Sequence, residues 1–171
     1  ALTRVVRNHY IAATLSRNRI ERCSTLNYGD LDLAAEDAVV IDDDEVSWAA
    51  FGDGTARFAN ALLDSGLEKG DRIVVLMKNS YEMVEAMFGI IRAGLVAVPL
   101  NVSITDDAVA GMIDNAEAKA VVASGEHVLR VEALRAQVDA RLIAPGEAPA
   151  GWLDYAAMRD AASASVPQID V

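Results

Sequence analysis

The chain has 171 residues, 53% hydrophobic and 24% charged, a globular balance that excludes a disordered or fibrous polymer. Its longest apolar runs, Ala86–Ile91 and Gly94–Leu100, stop at six or seven residues, far short of the ~18 that a membrane helix requires. The net charge is −11, unevenly spread: five arginines against Glu21 give +4 in residues 1–28, and the remaining 143 residues carry −15. So acidic a body repels phosphate backbones and argues against nucleic acid as a partner. Cys23 stands alone, which precludes an intrachain disulfide and points to a reducing, cytoplasmic compartment. With His9 and His127 far from it and from each other, no cluster suggests a metal.

In chain order, the Arg-bearing start has two readings, a helix over Asn8–Arg22 lying on the domain, or a targeting peptide of the mitochondrial kind. Ala38–Ile41 and Glu45–Val46 are short strands around a turn at Asp42-Asp43-Asp44. Ser47 caps a helix that runs through Leu63 and ends at Gly66. Gly52 and Gly54, inside that helix, each cost about 1 kcal/mol relative to Ala, and nothing in the sequence accounts for them. From Asp71 the pattern becomes regular. Arg72–Met77 is a buried strand, followed by a helix that Ser80 caps and Gly94 ends. Within it, Met83, Val84, Met87, Phe88 and Ile91 form the predicted buried stripe, with Glu82, Glu85 and Arg92 outside. Burying those five is worth roughly 8–15 kcal/mol before ordering entropy.

The unit repeats. Leu95–Val98 is a strand closed by Pro99, and Thr105 caps a helix to about Ala116. Lys119–Ala123, Glu126–Val138 and Arg141–Ala144 follow as strand, helix and strand. Pro145–Gly151 is a loop, Trp152–Ala162 a last helix, and Ser163–Val171 a small-residue tail. This alternation predicts an α/β fold, an open, mostly parallel sheet with helices on both faces. The predicted organisation is an N-terminal helical extension over 1–37 and an α/β subdomain over 38–144. Residues 145–171 then form a loop, short helix and linker toward a missing C-terminal part.

Ligands collect at the carboxyl ends of strands in such sheets. Those ends supply Lys78, Asn79, Ser80, Asn101, Ser103 and Ser124 as ligand-facing candidates, although Asn and Ser there also serve caps and turns. Lys78, the cation of the set, reads more naturally as a solvated rim residue. The run Gly52–Arg57 begins like a dinucleotide loop but has Arg57 where the third glycine belongs and sits mid-helix. Asp42-Asp43-Asp44 is similar to the acidic pocket of a phosphoreceiver, yet no later strand ends in Asp, so a solvated hairpin tip is the simpler reading. No catalytic triad and no phosphate-cradling loop with a Lys is present.

Five blocks occur in order: Val46–Phe51, Phe58–Leu63, Gly66–Ile73, Met77–Ser80 and Ile91–Asn101. Their succession resembles the start of the adenylate-forming enzymes, which include acyl- and aryl-CoA synthetases, luciferases and peptide-synthetase adenylation domains. The first block resembles the family's Leu-Thr-Tyr-x-Glu-Leu motif and the last its Lys-Ala-Gly-x-x-x-x-Pro-Leu motif. The likeness covers roughly Ala35–Val138, and Asn101 is closer to the CoA ligases than to the peptide-synthetase branch. Val102-Ser103 departs from the Pro-Arg that many relatives carry there.

The resemblance implies an N-terminal fragment of an ATP-dependent acyl- or aryl-CoA synthetase. In that family a carboxylate attacks the ATP α-phosphate, and a thiol, usually that of CoA, then displaces AMP. It implies ATP, Mg²⁺ and CoA for the parent enzyme, with none expected on this fragment, and a carboxylic acid as substrate. The family's phosphate loop, ribose-binding Asp and catalytic Lys have no counterpart here, so no catalytic residue is carried over. The fragment is expected to be inactive alone and to self-associate through surface that met the missing parts. A stand-alone, non-catalytic α/β binding or interaction module is the alternative.

Overall fold

The computed structural model describes residues 37–41 and 44–169. The predicted Asn8–Arg22 helix, His9, Cys23 and most of the acidic turn lie outside the described residues. The chain divides into two compact units, residues 1–53 and 54–171. In the first, β1 (Asp37–Ile41) and β2 (Asp44–Ser47) form an antiparallel hairpin, as predicted.

The helix α1 (Trp48–Asp64) begins where Ser47 Oγ accepts the Ala50 N–H at 3.2 Å. It ends in a Schellman turn: Gly66, at φ 85°, donates to Leu63 O, and Leu67 to Leu62 O. The second unit continues with β3 (Arg72–Leu76), α2 (Tyr81–Arg92), β4 (Val96–Pro99), α3 (Asp106–Asn115) and β5 (Ala120–Ala123). Then come α4 (Glu126–Ala133), β6 (Arg141–Ala144), β7 (Leu153–Asp154) and α5 (Tyr155–Ala161). Ser80 Oγ and Thr105 Oγ1 cap α2 and α3 as predicted, and Gly94, at φ 71°, closes α2 in a second Schellman turn.

Five strands pair in the order β4-β3-β5-β6-β7, and every pairing is parallel. Alternation splits each strand between two cores. Ile73, Val75, Val122 and Ile143 face α1, α2 and α5, while Val74, Leu76, Val121 and Leu142 face α3 and α4. The predicted open parallel sheet with helices on both faces is therefore the observed one. No helix among the described residues is long and apolar enough to cross a membrane.

Three segments differ from the sequence reading. The predicted Glu126–Val138 helix stops at Ala133 and passes into a 3-10 turn at Arg135–Gln137. Leu153–Asp154, placed in the last helix by sequence, adds a fifth parallel strand beside β6. The tail is bonded back onto α1: Arg57 Nη1 donates to Ala162 O at 2.8 Å, and Asn60 Nδ2 donates to the carbonyls of Ser163 and Ser165 at 2.7 Å each.

The larger correction concerns α2. Its fully buried positions are Glu85, Ala86, Gly89 and Ile90, whereas Phe88 and Ile91 are exposed. Met83 and Met87 do pack against the core, half-buried. The helix is rotated from the predicted stripe because α1 presses on it at two glycines. A Cβ at Gly89 would come within 2.8 Å of Phe58 Cδ1, and one at Gly54 would overlap Glu85 Oε1. Gly54 thus has the reason the sequence withheld: it clears room for a carboxylate.

This contact predicts opposite outcomes for two helix glycines. Gly54→Ala should lower stability by about 1–2 kcal/mol, overpacking outweighing the helix-propensity gain. Gly111→Ala, whose Cβ meets nothing within 4 Å, should raise it by about 0.5–1 kcal/mol. Urea denaturation midpoints check both.

Candidate functional site

The winding of the sheet locates its crevice. From β3 the chain passes through α2 to β4 on one side, then returns through α3 to β5 on the other side of β3. The carboxyl ends of β3 and β5 therefore flank the reversal point, where open α/β sheets bind ligands. Two loops meet there. Lys78 Nζ, just after β3, lies 2.7 Å from Glu126 Oε1, at the start of α4 after β5, with both side chains about two-thirds exposed at 67% and 66%. The ammonium and its hydrogen bond hold the Glu126 carboxyl below its usual range. In water such a pair contributes little to stability. It is a loose clasp across the crevice.

The other sequence candidates are distributed as follows. Ser80 Oγ is occupied by the Met83 N–H at 3.2 Å, and Asn101 Oδ1 accepts the Ser103 N–H at 2.9 Å in an Asx turn. Asn79 and Ser103 are exposed. The Ser124 carbonyl accepts the His127 N–H at 3.2 Å. The structure thus brings Lys78 to the loop that Ser124 begins, while the polar side chains of Ser80 and Asn101 hold local turns.

Sequence reasoning passed over the residues behind this loop. His127 is 3% exposed. Arg130 Nη1 lies 3.3 Å from His127 Nδ1, while Arg130 itself is fixed by Asp106 Oδ1 at 2.7 Å, Val102 O at 2.8 Å and Ile104 O at 2.5 Å. A guanidinium only donates, so Nδ1 accepts and the ring proton sits on Nε2. That Nε2 has no hydrogen-bond partner, and Glu126 Oε1 is 4.0 Å away. Burial first, then the Arg130 charge, push the imidazole pKa down, so the ring is neutral at pH 7. The i, i+3 spacing of His127 and Arg130 was the available signal.

A second polar centre lies deeper. Glu85 is 1% exposed, yet its carboxylate is enclosed by donors: Tyr81 Oη to Oε1 at 2.8 Å, and Tyr155 Oη and Arg159 Nη1 to Oε2 at 2.7 and 3.1 Å. Burial, with the facing carboxylate, drives both phenol pKa values up, so they remain donors throughout the ordinary pH range. The Tyr155 ring packs on Phe58 with centroids 4.3 Å apart. Every donor comes from α2 or α5, so the cluster fastens the C-terminal helix to the core. Its carboxylate is buried while Tyr81 and Arg159 are only partly so.

An open parallel sheet wound in this order defines a doubly wound α/β domain. The particular family follows from comparison: the family model described as AMP-binding enzyme matches residues 32–167, and the chain belongs to that family. Among curated relatives, a medium/long-chain-fatty-acid–CoA/3-oxocholest-4-en-26-oate–CoA ligase of Mycobacterium marinum is 31% identical over 112 residues, covering 62% of this chain and 20% of the relative. A 4-hydroxybenzoate–CoA/benzoate–CoA ligase of Rhodopseudomonas palustris is 31% identical over 113 residues, 65% of this chain and 21% of that protein. Among solved structures, a benzoate CoA ligase from Burkholderia xenovorans LB400 superposes with TM-score 0.70 at 28% identity, over 76% of this chain and 26% of that one. The chain spans about a fifth of the length of these curated relatives.

Two predictions follow from the two centres. Tyr155→Phe should cost about 1–3 kcal/mol, because it leaves a buried carboxylate one donor short, and urea unfolding measures this. For His127, the unfolded chain takes up a proton below about pH 6.5 that the folded chain resists. Stability is therefore unaffected above that pH and falls as the pH drops below it. Thermal melts should show this slope in the native chain and a flatter one in His127→Gln.

Proposed function

We propose that these residues form part of the adenylating domain of an AMP-forming acid–thiol ligase, which uses ATP and Mg²⁺ to join a carboxylic acid to CoA. The observation that carries this reading is the family match across residues 32–167, nearly the whole doubly wound unit. The relatives named above are ligases of fatty acids and of benzoates, which supports a fatty or aromatic acid as the substrate class. A cytoplasmic location accompanies that reading.

The described residues do not by themselves fit a magnesium–triphosphate site. No group of three His, Cys, Asp or Glu side chains among them is placed to hold a metal ion. The Lys78 ammonium at the crevice is joined to Glu126. No step of adenylation is therefore assigned to a side chain of this chain. Its part is to present Lys78, Asn79 and Ser124 at the ligand crevice, with Ser80, Asn101 and Ser103 shaping the neighbouring turns, held by the sheet beneath. Ile91 and Val96, apolar and 59% and 46% exposed, support the expectation that the chain self-associates.

The test compares two polypeptides. The 171-residue chain titrated calorimetrically with ATP–Mg²⁺ should show no submillimolar binding. The product of the whole reading frame that carries these residues should form a CoA thioester, with release of AMP and pyrophosphate, from a fatty or benzoic acid. Absence of thioester and acyl-adenylate over a panel of such acids would overturn the proposal.

A further inference from the structure

The opposite end of the sheet holds a second concavity. A cleft of about 380 Å³ is lined by Ser65, Arg135, Arg141, Gly151 and Leu153, among others. Ser65 precedes β3, Arg135 precedes β6 and Gly151 precedes β7, while Arg141 and Leu153 are the first residues of β6 and β7. The cleft therefore lies at the amino ends of the strands, away from the Lys78–Glu126 crevice. Its volume falls at the lower end of the range for small-molecule pockets, roughly 300–1,000 Å³.

Two guanidiniums face this space in different states. Arg135 is engaged: its Nε lies 2.9 Å from Glu132 Oε2, which also accepts from Trp152 Nε1 at 2.8 Å, and its Nη2 donates to Ala150 O at 3.4 Å. Arg141 is not. Among the described residues it is the arginine whose guanidinium makes no hydrogen bond or ion pair. Arg72 shows the contrast, since it opens β3 as Arg141 opens β6, yet its guanidinium is saturated by Ala116 O and by Glu117. Neither Asp64 nor Asp139, chain neighbours of the cleft, pairs with Arg141. In a chain of net charge −11, Arg135 is neutralised by Glu132 and Arg141 is the uncompensated positive charge in the lining of the cleft.

Each guanidinium lies along a glycine loop at one wall of the cleft. Arg141 Nη2 lies 3.4 Å from where a Cβ on Gly66 would stand, and Arg135 Nη1 lies 3.5 Å from that position on Gly151. Both glycines sit at left-handed φ, 85° and 87°, which already favours glycine there, and lacking a Cβ they let each guanidinium lie against its loop, with the cleft on its other side.

We propose that this cleft binds a compact phosphoryl group, with Arg141 as its principal ligand and Arg135 in support. A planar fork matches phosphate oxygens in pairs, and a dianion engages two guanidiniums where a single carboxylate saturates one. The site is independent of the crevice at the carboxyl ends, so its failure would leave the ligase reading standing.

The experiment is an NMR titration of the 171-residue chain with inorganic pyrophosphate, inorganic phosphate and acetate, following the amides of Ser65, Gly66 and Gly151. Saturable shifts there with pyrophosphate or phosphate support the proposal. So does weakening by about tenfold in Arg141→Gln, the loss of one charge-assisted fork. Because Arg141 holds no partner in the fold, that variant should keep a native, dispersed spectrum and an unchanged melting temperature. Three outcomes would overturn the proposal: no saturable shift up to tens of millimolar, equal shifts with acetate, or an Arg141→Gln variant that binds as the native chain does.

Discussion

A carboxylate inside an apolar face has to be solvated by protein, and in this molecule that requirement at Glu85 sets much of the architecture around it. Unpartnered, it would cost several kcal/mol; with Tyr81, Tyr155 and Arg159 donating, it becomes a node. Tyr81 lies one helical turn away, so part of the solution is local. The other two donors come from α5, about seventy residues downstream, which directly follows β7 where it pairs with β6. The node thus couples the first helix pair to the last strand and helix. It also forbids a side chain at Gly54, which lets α1 and α2 approach closely and fixes the rotation of α2 about its own axis.

That rotation marks where the sequence stops being informative. The strands, both Schellman glycines, and the caps at Ser47, Ser80 and Thr105 were legible, because each depends on residues within a few positions of one another. The parallel sheet was legible because alternating strands and helices admit few other arrangements. The buried face of α2 was not. Hydrophobic periodicity ranks Phe88 and Ile91 as interior and Glu85 as exterior, and the chain reverses both because a glycine on α1 and two donors on α5 outweigh the local pattern. The unexplained Gly54 was the visible trace of this. Leu153–Asp154 was missed for a related reason: a two-residue strand has no period to detect, and its identity comes from the neighbour it joins.

For the candidate site, the sequence offers a place more than a set of residues. Strand carboxyl ends follow from topology, and Lys78 and Ser124 do sit on the two loops that flank the reversal point. Serine and asparagine are ambiguous by chemistry, since the same oxygen caps a helix or meets a ligand, and at Ser80 and Asn101 the local turn takes it. His127 was passed over because the sequence places no second metal ligand and no nucleophile beside it. Its burial and its unsatisfied Nε2 emerge only in the fold.

The rims of the parallel sheet carry a consequence for how such a chain behaves in company. On one side the outermost strand among the described residues is β4, which ends in Pro99, a residue with no N–H to offer a newcomer. On the other it is β7, only two residues long. Neither rim provides a long ladder of unpaired amides and carbonyls onto which a foreign strand can zip. Among the described residues, the route by which exposed sheets grow into fibrils is therefore blunted at both borders of the five-stranded sheet.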